Sequence, residues 1–225
     1  MTGTLLNTFT VAAGSLVGLA LGKRLAERYK KTVQQALGLA VLYFGMTMAL
    51  EEGGNAILTI GSVVLGGLIG EMMGIEQRLA RLAAWLKARI KSSSPNFVEG
   101  FVTASVMYLT GPMIILGCLA DGLTGDIGIL SIKSLFDGVA SIILASSLGL
   151  GVVFSAASVL VVQGALTLAA SYLVFLREPV ILTALTTTGG VIILGIGVNL
   201  LDLKKIPVGN LLPGLVLAVL GAMFF

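Results

Sequence analysis

Asp137 is the side chain best placed to do chemistry, because the 39 residues between it and Arg177 carry no charged side chain. An ionisable group inside hydrocarbon is costly unless it is paired or solvated, so such a residue marks a route for ions, protons or polar solutes. Two settings for it are open. A full-length helix ending at the Gly149-Leu150-Gly151 turn begins near Ser131 and buries Asp137 about 10 Å deep, at 1.5 Å per residue. Alternatively, Ser134-Leu135-Phe136-Asp137 is an S-x-x-D capping box with Ser134 as N-cap. The helix is then about 16 residues long, too short to cross a bilayer untilted. Just upstream, Leu119-Ala120-Asp121-Gly122-Leu123-Thr124-Gly125-Asp126 sets two more carboxylates among glycines. Carboxylate and carbonyl oxygens in such a turn suit a hard cation, so Asp121, Asp126 and Asp137 form a candidate external cation mouth, with no metal specified. A solvated loop with Asx-turns accounts equally well for the first two.

Three further elements fall near the middle of apolar runs. Thr110-Gly111-Pro112 must kink or unwind its helix, since the proline has no N–H and crowds the carbonyl of Tyr108. Gln163-Gly164 and Thr186-Thr187-Thr188-Gly189-Gly190 are the other two. Freed carbonyls at that depth are tolerated against protein or a wet cavity. Gly111, Pro112, Gln163, Thr187 and Thr188 are therefore expected to line a crossing around one shared cavity, with the three aspartates at its mouth. A kink, an interhelical amide bond and threonines bonding their own backbone are the structural alternatives.

Much other chemistry is absent. There is no histidine, and Cys118 is the single cysteine, which excludes zinc-hydrolase motifs, Ser-His triads, Cys-rich metal sites and an intrachain disulfide. Gly122-Leu123-Thr124-Gly125-Asp126 misses the Gly-x-Gly-Asp signature of intramembrane aspartyl proteolysis, and no nucleotide-binding motif is present. The expectation is a protein that is not an enzyme and uses no cofactor.

The elements that position these residues are transmembrane helices. The chain is 56% hydrophobic and 11% charged, too little polar surface for a soluble domain to cover itself. Reading apolar runs between charges gives about eight spans, at 4–22, 32–50, 55–72, 98–120, 133–150, 152–175, 179–201 and 206–225. The N-terminus runs straight into the first span without a basic leader or cleavage site, so that span is expected to be retained. Basic loops resist translocation. Lys23 to Lys31, Arg78 to Lys91 and Lys204-Lys205 all fall on one face of an eight-span layout, while Lys133 and Arg177 alone fall on the other. Both termini are thus predicted outside. The net charge of +3 is this loop bias, not a nucleic-acid footprint.

Between the third and fourth spans, residues 75–91 set Ile75, Leu79, Leu82, Leu86 and Ile90 at helical spacing opposite basic residues. This reads as a helix lying in the cytoplasmic interface, held by anionic headgroups, with Trp85 as an anchor. Gly14, Gly18 and Gly22 form successive G-x-x-x-G steps on span one, and Gly66, Gly67 and Gly70 make a similar small-residue face on span three. Such faces let helix backbones approach, within one chain or at a homo-oligomer interface. Spans 1–3 weakly echo spans 6–8: Ala36-Leu37 matches Ala184-Leu185, and Leu68-Ile69-Gly70-Glu71-Met72 matches Val219-Leu220-Gly221-Ala222-Met223. An offset of five spans makes the copies enter from opposite sides, the inverted repeat common in secondary transporters. The expected layout is one all-α integral membrane domain over 1–225. It comprises a first repeat (1–74), the interfacial helix (75–91), central spans (95–150) and a second repeat (152–225).

The stretch Gly111-Pro112-Met113-Ile114-Ile115-Leu116-Gly117, then Asp121 to Asp126, Lys133, Phe136-Asp137-Gly138 and Gly149 through Ala156 to Gln163-Gly164, resembles the YdfK/YqgA-type family of prokaryotic inner-membrane proteins, a family of unknown function. The resemblance spans essentially the whole chain and implies a protein of the bacterial or archaeal cytoplasmic membrane. Residues and resemblance together lead to the expectation of a secondary transporter of a small solute or ion, working by alternating access around broken helices as a homo-oligomer. A scaffold or sensor docking a partner through residues 75–91, or a channel, are the competing classes.

Overall fold

The computed structural model describes all residues except Leu25 and Phe225, and the side chains of Arg24 and Glu27 also lie outside the description. Among the described residues the fold is all-α. Its helices are α1 (Thr2–Arg24), α2 (Glu27–Ala49), α3 (Ala56–Met73), α4 (Ile75–Arg89), α5 (Phe97–Leu109), α6 (Pro112–Thr124), α7 (Gly128–Leu148), α8 (Gly151–Leu168), α9 (Pro179–Leu200) and α10 (Pro213–Ala222). Short 3-10 turns cover Ala170–Tyr172, Val174–Arg177 and Val208–Leu211.

Among the described residues five helices, α1, α3, α7, α8 and α9, are long and apolar enough to cross a membrane, and α5 with α6 makes a sixth if the bent pair is one span. The remaining two expected crossings are less regular. α2 is diluted by Gln34 and Gln35, and the last apolar segment, Val208–Ala222, is short and interrupted by Pro213. The expected break at Gly111-Pro112 is present: α5 stops at Leu109, α6 starts at Pro112, and their axes differ by 64°. Gly111 has φ 116°, a backbone setting that side chains resist. The span drawn at 133–150 begins earlier, at Gly128, directly after an Asx-turn in which Asp126 Oδ1 accepts the Gly128 N–H at 2.8 Å.

The chain divides into two compact units that do not follow sequence order. The first comprises residues 1–34, 80–109 and 113–174. Here α1 runs parallel to α7, with Gly14 facing Gly138, Gly18 facing Ile142 and Gly22 facing Ser146. A Cβ at any of the three would overlap the α7 backbone, so the small-residue face of α1 is occupied within the same chain. α8 runs antiparallel to α1, as the contacts Thr4–Thr167 and Asn7–Gln163 show. α5 lies parallel to α8, with Gly151 against Phe97 and Ser105 bonded to Ser158. Phe97, Leu130, Leu144, Leu148, Val152 and Val159 fill the core, while Leu5, Phe9 and Leu16 of α1 stay exposed, as lipid-facing side chains do.

The second unit comprises residues 35–79, 110–112 and 175–225. α2 packs antiparallel on α9, where Gly38 meets Gly197 and Gly45 meets Gly190. α3 packs antiparallel on α10, with Gly66 against Gly214 and Leu58 against Gly221. Ile192, Ile193, Ile196 and Leu200 form the buried stripe of α9.

The start of α4 is tied into this unit by Asn210. Its side chain accepts the Glu76 N–H at 2.7 Å and donates to Glu71 Oε2, while the Gly209 N–H donates to Glu76 Oε2 at 2.7 Å. Glu71 is thus bonded across to the Val208–Leu211 turn. Burial pushes the Glu76 carboxyl up from its ordinary value, outweighing the Gly209 N–H and the Lys205 charge that pull it down. The folded state therefore holds this proton more tightly than the unfolded chain. Its stabilising contribution is full below the ordinary carboxylate range and is lost as pH rises through the folded value. Glu76→Gln should flatten that part of the decline in thermal midpoint between acid and neutral pH, measured on the detergent-solubilised protein.

Candidate functional site

Lys133 and Asp137 sit one turn apart on α7 and form a buried ion pair, Nζ to Oδ2. Asp137 is the tenth residue of the helix, roughly 14 Å along its axis at 1.5 Å per residue. The capping-box reading fails, since Ser134 is already mid-helix and donates its hydroxyl to the Leu130 carbonyl at 2.6 Å. The buried-carboxylate reading holds, with a deeper setting than expected. Lys133 was assigned to an outer loop by charge counting, and the earlier start of α7 carries it inside instead.

Two amides complete the cluster. Asn7 of α1 donates through Nδ2 to Asp137 Oδ2 and to Gln163 Oε1 of α8, both at 2.9 Å. Asn7 and Gln163 are 0% exposed, and Asp137 and Lys133 are 8% and 6% exposed. The surroundings are polar on one side: Thr167 donates to the Gln163 carbonyl and shares a bond with Thr4, and Tyr108 shares one with Ser141. Cys118 is buried with Sγ 3.5 Å from the same Gln163 carbonyl. Two atoms of the cluster are buried without a partner, the acceptor Asn7 Oδ1 and the donor Gln163 Nε2. A buried polar group left in that state is expensive, so its presence calls for an explanation.

The three aspartates do not assemble into one mouth. Asp121 accepts the N-terminal ammonium at 2.9 Å and the Gly3 N–H at 3.0 Å, so its charge neutralises the start of α1. Asp126 is exposed, in the turn just before α7. Among the described residues no three His, Cys, Asp or Glu side chains are grouped to hold a metal ion.

Of the residues expected along the pathway, Asp121, Asp126, Asp137 and Gln163 belong to the first unit, and Gly111, Pro112, Thr187 and Thr188 to the second. In the second unit Gly111 lies beside Met48 and Gly189. Thr187 bonds Thr59 of α3 at 2.8 Å, and Thr188 is fully buried with its hydroxyl unpartnered. Sequence reading missed Asn7 and Lys133. The i,i+4 spacing of Lys133 and Asp137 was a usable signal for the pair. An asparagine inside the apolar run of span one was a usable signal for Asn7.

Apolar helices that bury an ion pair and two amides, with large side chains left bare on their outer faces, make this a multi-pass membrane protein. The chain belongs to the family described as "Protein of unknown function (DUF554)", which it matches over residues 2–223. It is 33% identical over 220 residues to the "Uncharacterized membrane protein YdfK" of Bacillus subtilis (strain 168), covering 96% of this chain and 93% of that protein. It is 30% identical over 222 residues to the "Uncharacterized protein YqgA" of Escherichia coli (strain K12), covering 96% and 94%. No solved structure matches it.

Proposed function

We propose that this protein is a secondary transporter of a small solute or ion in the prokaryotic cytoplasmic membrane. The observation that carries the reading is the buried Lys133–Asp137 pair, bonded through Asp137 to Asn7 of α1, which in turn bonds Gln163 of α8. An ion pair in that setting contributes little net stability against a well-packed apolar pair of the same volume. Ionisable groups inside a membrane bundle are most simply there for what passes through.

The broken α5–α6 helix supports alternating access, since discontinuous helices are where transporters bind and gate. The inverted repeat is supported by the antiparallel pairing of corresponding helices: α1 with α8 in one unit, and α2 with α9 and α3 with α10 in the other. An outward-facing N-terminus is supported by the first unit, where the N-terminal ammonium meets Asp121 at one end and Lys23 lines a cavity with the Ser94–Asn96 segment at the other. At that basic end a cavity of about 230 Å³, lined by Lys23, Lys30, Ser94, Asn96 and Ser146, suits an anionic lipid headgroup. α4, with Leu82 and Trp85 exposed, lies in the same interface. Assembly as a homo-oligomer belongs to the same reading, and its interface would lie away from the glycine face of α1. Energy comes from an ion gradient or from the solute's own gradient, and no chemical step is assigned to the protein.

Purified protein in liposomes tests this. Solute-dependent flux is expected from the wild type across a panel of small ions and polar solutes, and Asp137→Asn should abolish it. Liposomes that stay sealed to the whole panel with wild-type protein would sink the transport reading.

A further inference from the structure

The Lys133–Asp137 cluster carries a pattern of unused hydrogen-bonding capacity that specifies its ligand. Asn7 Oδ1 is an acceptor and Gln163 Nε2 a donor, and both are buried and unpartnered. The acceptor belongs to the amide already bonded to the carboxylate, so Asp137 and Asn7 together present two oxygens to a positive group. Lys133 and Gln163 supply the cluster's N–H donors for a negative group, the first as an ammonium and the second as an unused amide. We infer that the site binds a small zwitterion of the α-amino acid class, its ammonium on Asp137 and Asn7 Oδ1, its carboxylate on Lys133 and Gln163 Nε2.

Charge balance favours this ligand over either half of it. A lone cation that took Asp137 would leave the Lys133 ammonium buried without a partner, and a lone anion that took Lys133 would leave Asp137 so. Breaking a buried pair from one side is the costly case. A zwitterion replaces each partner with a group of the same sign and leaves no charge unpaired.

A Cβ at Gly138 would meet Thr10 at 3.5 Å and one at Gly164 would meet Met1 Cε at 3.5 Å, so the residues that follow Asp137 and Gln163 add no side chain of their own to the cluster. The zwitterion's role as cargo rests on the transport reading, whereas its binding does not.

Isothermal titration on the full chain in lipid nanodiscs tests the inference, with glycine and alanine compared against methylamine, acetate and glycinamide. Glycine or alanine should bind, and each single-charge analogue should bind at least tenfold more weakly. Gln163→Met should weaken glycine binding at least tenfold. The double variant Lys133→Leu/Asp137→Leu, which removes both charges together, should abolish it. Methylamine or acetate binding as well as glycine, no binding across the panel, or unchanged affinity in Gln163→Met would each overturn the assignment. Zwitterion binding without flux would remove the transport reading and leave the site. Flux of another solute without zwitterion binding would remove the site and leave transport.

Discussion

Lys133→Ala should destabilise the protein by about 3–5 kcal/mol, the usual penalty for leaving one member of a buried ion pair uncompensated. Asp137 would remain on α7, 8% exposed, with the Asn7 amide as its only hydrogen-bond donor from the cluster. The double variant Lys133→Leu/Asp137→Leu should behave differently. Removing both charges leaves no isolated ion, and the leucines replace the pair with apolar packing, so its stability should fall within about 1 kcal/mol of the wild type or exceed it. Thermal unfolding of the purified protein in one detergent, followed by far-ultraviolet circular dichroism, measures both. A double variant as unstable as the single one would mean that the pair holds the fold together.

The second large effect is steric. Gly18→Leu should prevent α1 from docking on α7, because even a Cβ there would overlap the Ile142 backbone, which no side-chain rotation can relieve. The cost should exceed the roughly 1–3 kcal/mol of ordinary overpacking, and the folded yield from membranes should collapse. Gly61→Ala supplies the contrast, since nothing lies within 4 Å of a Cβ at that position. Replacing a helical glycine by alanine gains about 1 kcal/mol in propensity, so this variant should be as stable as the wild type or more so. Size-exclusion profiles of the two variants, prepared in parallel, distinguish them. A monodisperse Gly18→Leu would show that α1 is not held by that face.

How much of this was legible in the sequence follows from the range of the forces involved. The break at Gly111-Pro112 was legible because a missing N–H and a ring clash act within one turn. The close helix approach at Gly14, Gly18 and Gly22 was legible because a run of absent side chains has few other uses. Its partner was not, since nothing in α1 says that α7 of the same chain supplies the facing backbone. Asp137 was flagged by the long uncharged run after it, but its setting was left open between two readings. α7 starts directly after the Asx-turn of Asp126, a local pattern that competed with an equally good one at Ser134. That shift in the helix start explains the misplacement of Lys133, because a charge count assigns loops by where helices are drawn to end.

The grouping of Asp137, Asn7 and Gln163 depends on residues 130 and 156 positions apart meeting across three helices, which no local pattern encodes. The three aspartates illustrate the converse. Their proximity in sequence suggested one cation mouth, yet Asp121 is drawn to the start of α1, Asp126 to the start of α7, and Asp137 to Lys133.

Whether the buried pair serves a passing solute or only the fold is decided most directly by the initial rate of solute exchange in liposomes carrying the Lys133→Leu/Asp137→Leu variant. The rate should be compared with wild type at equal amounts of folded protein. The account predicts a variant that folds as well as the wild type and moves nothing. Exchange at the wild-type rate by that variant would contradict it.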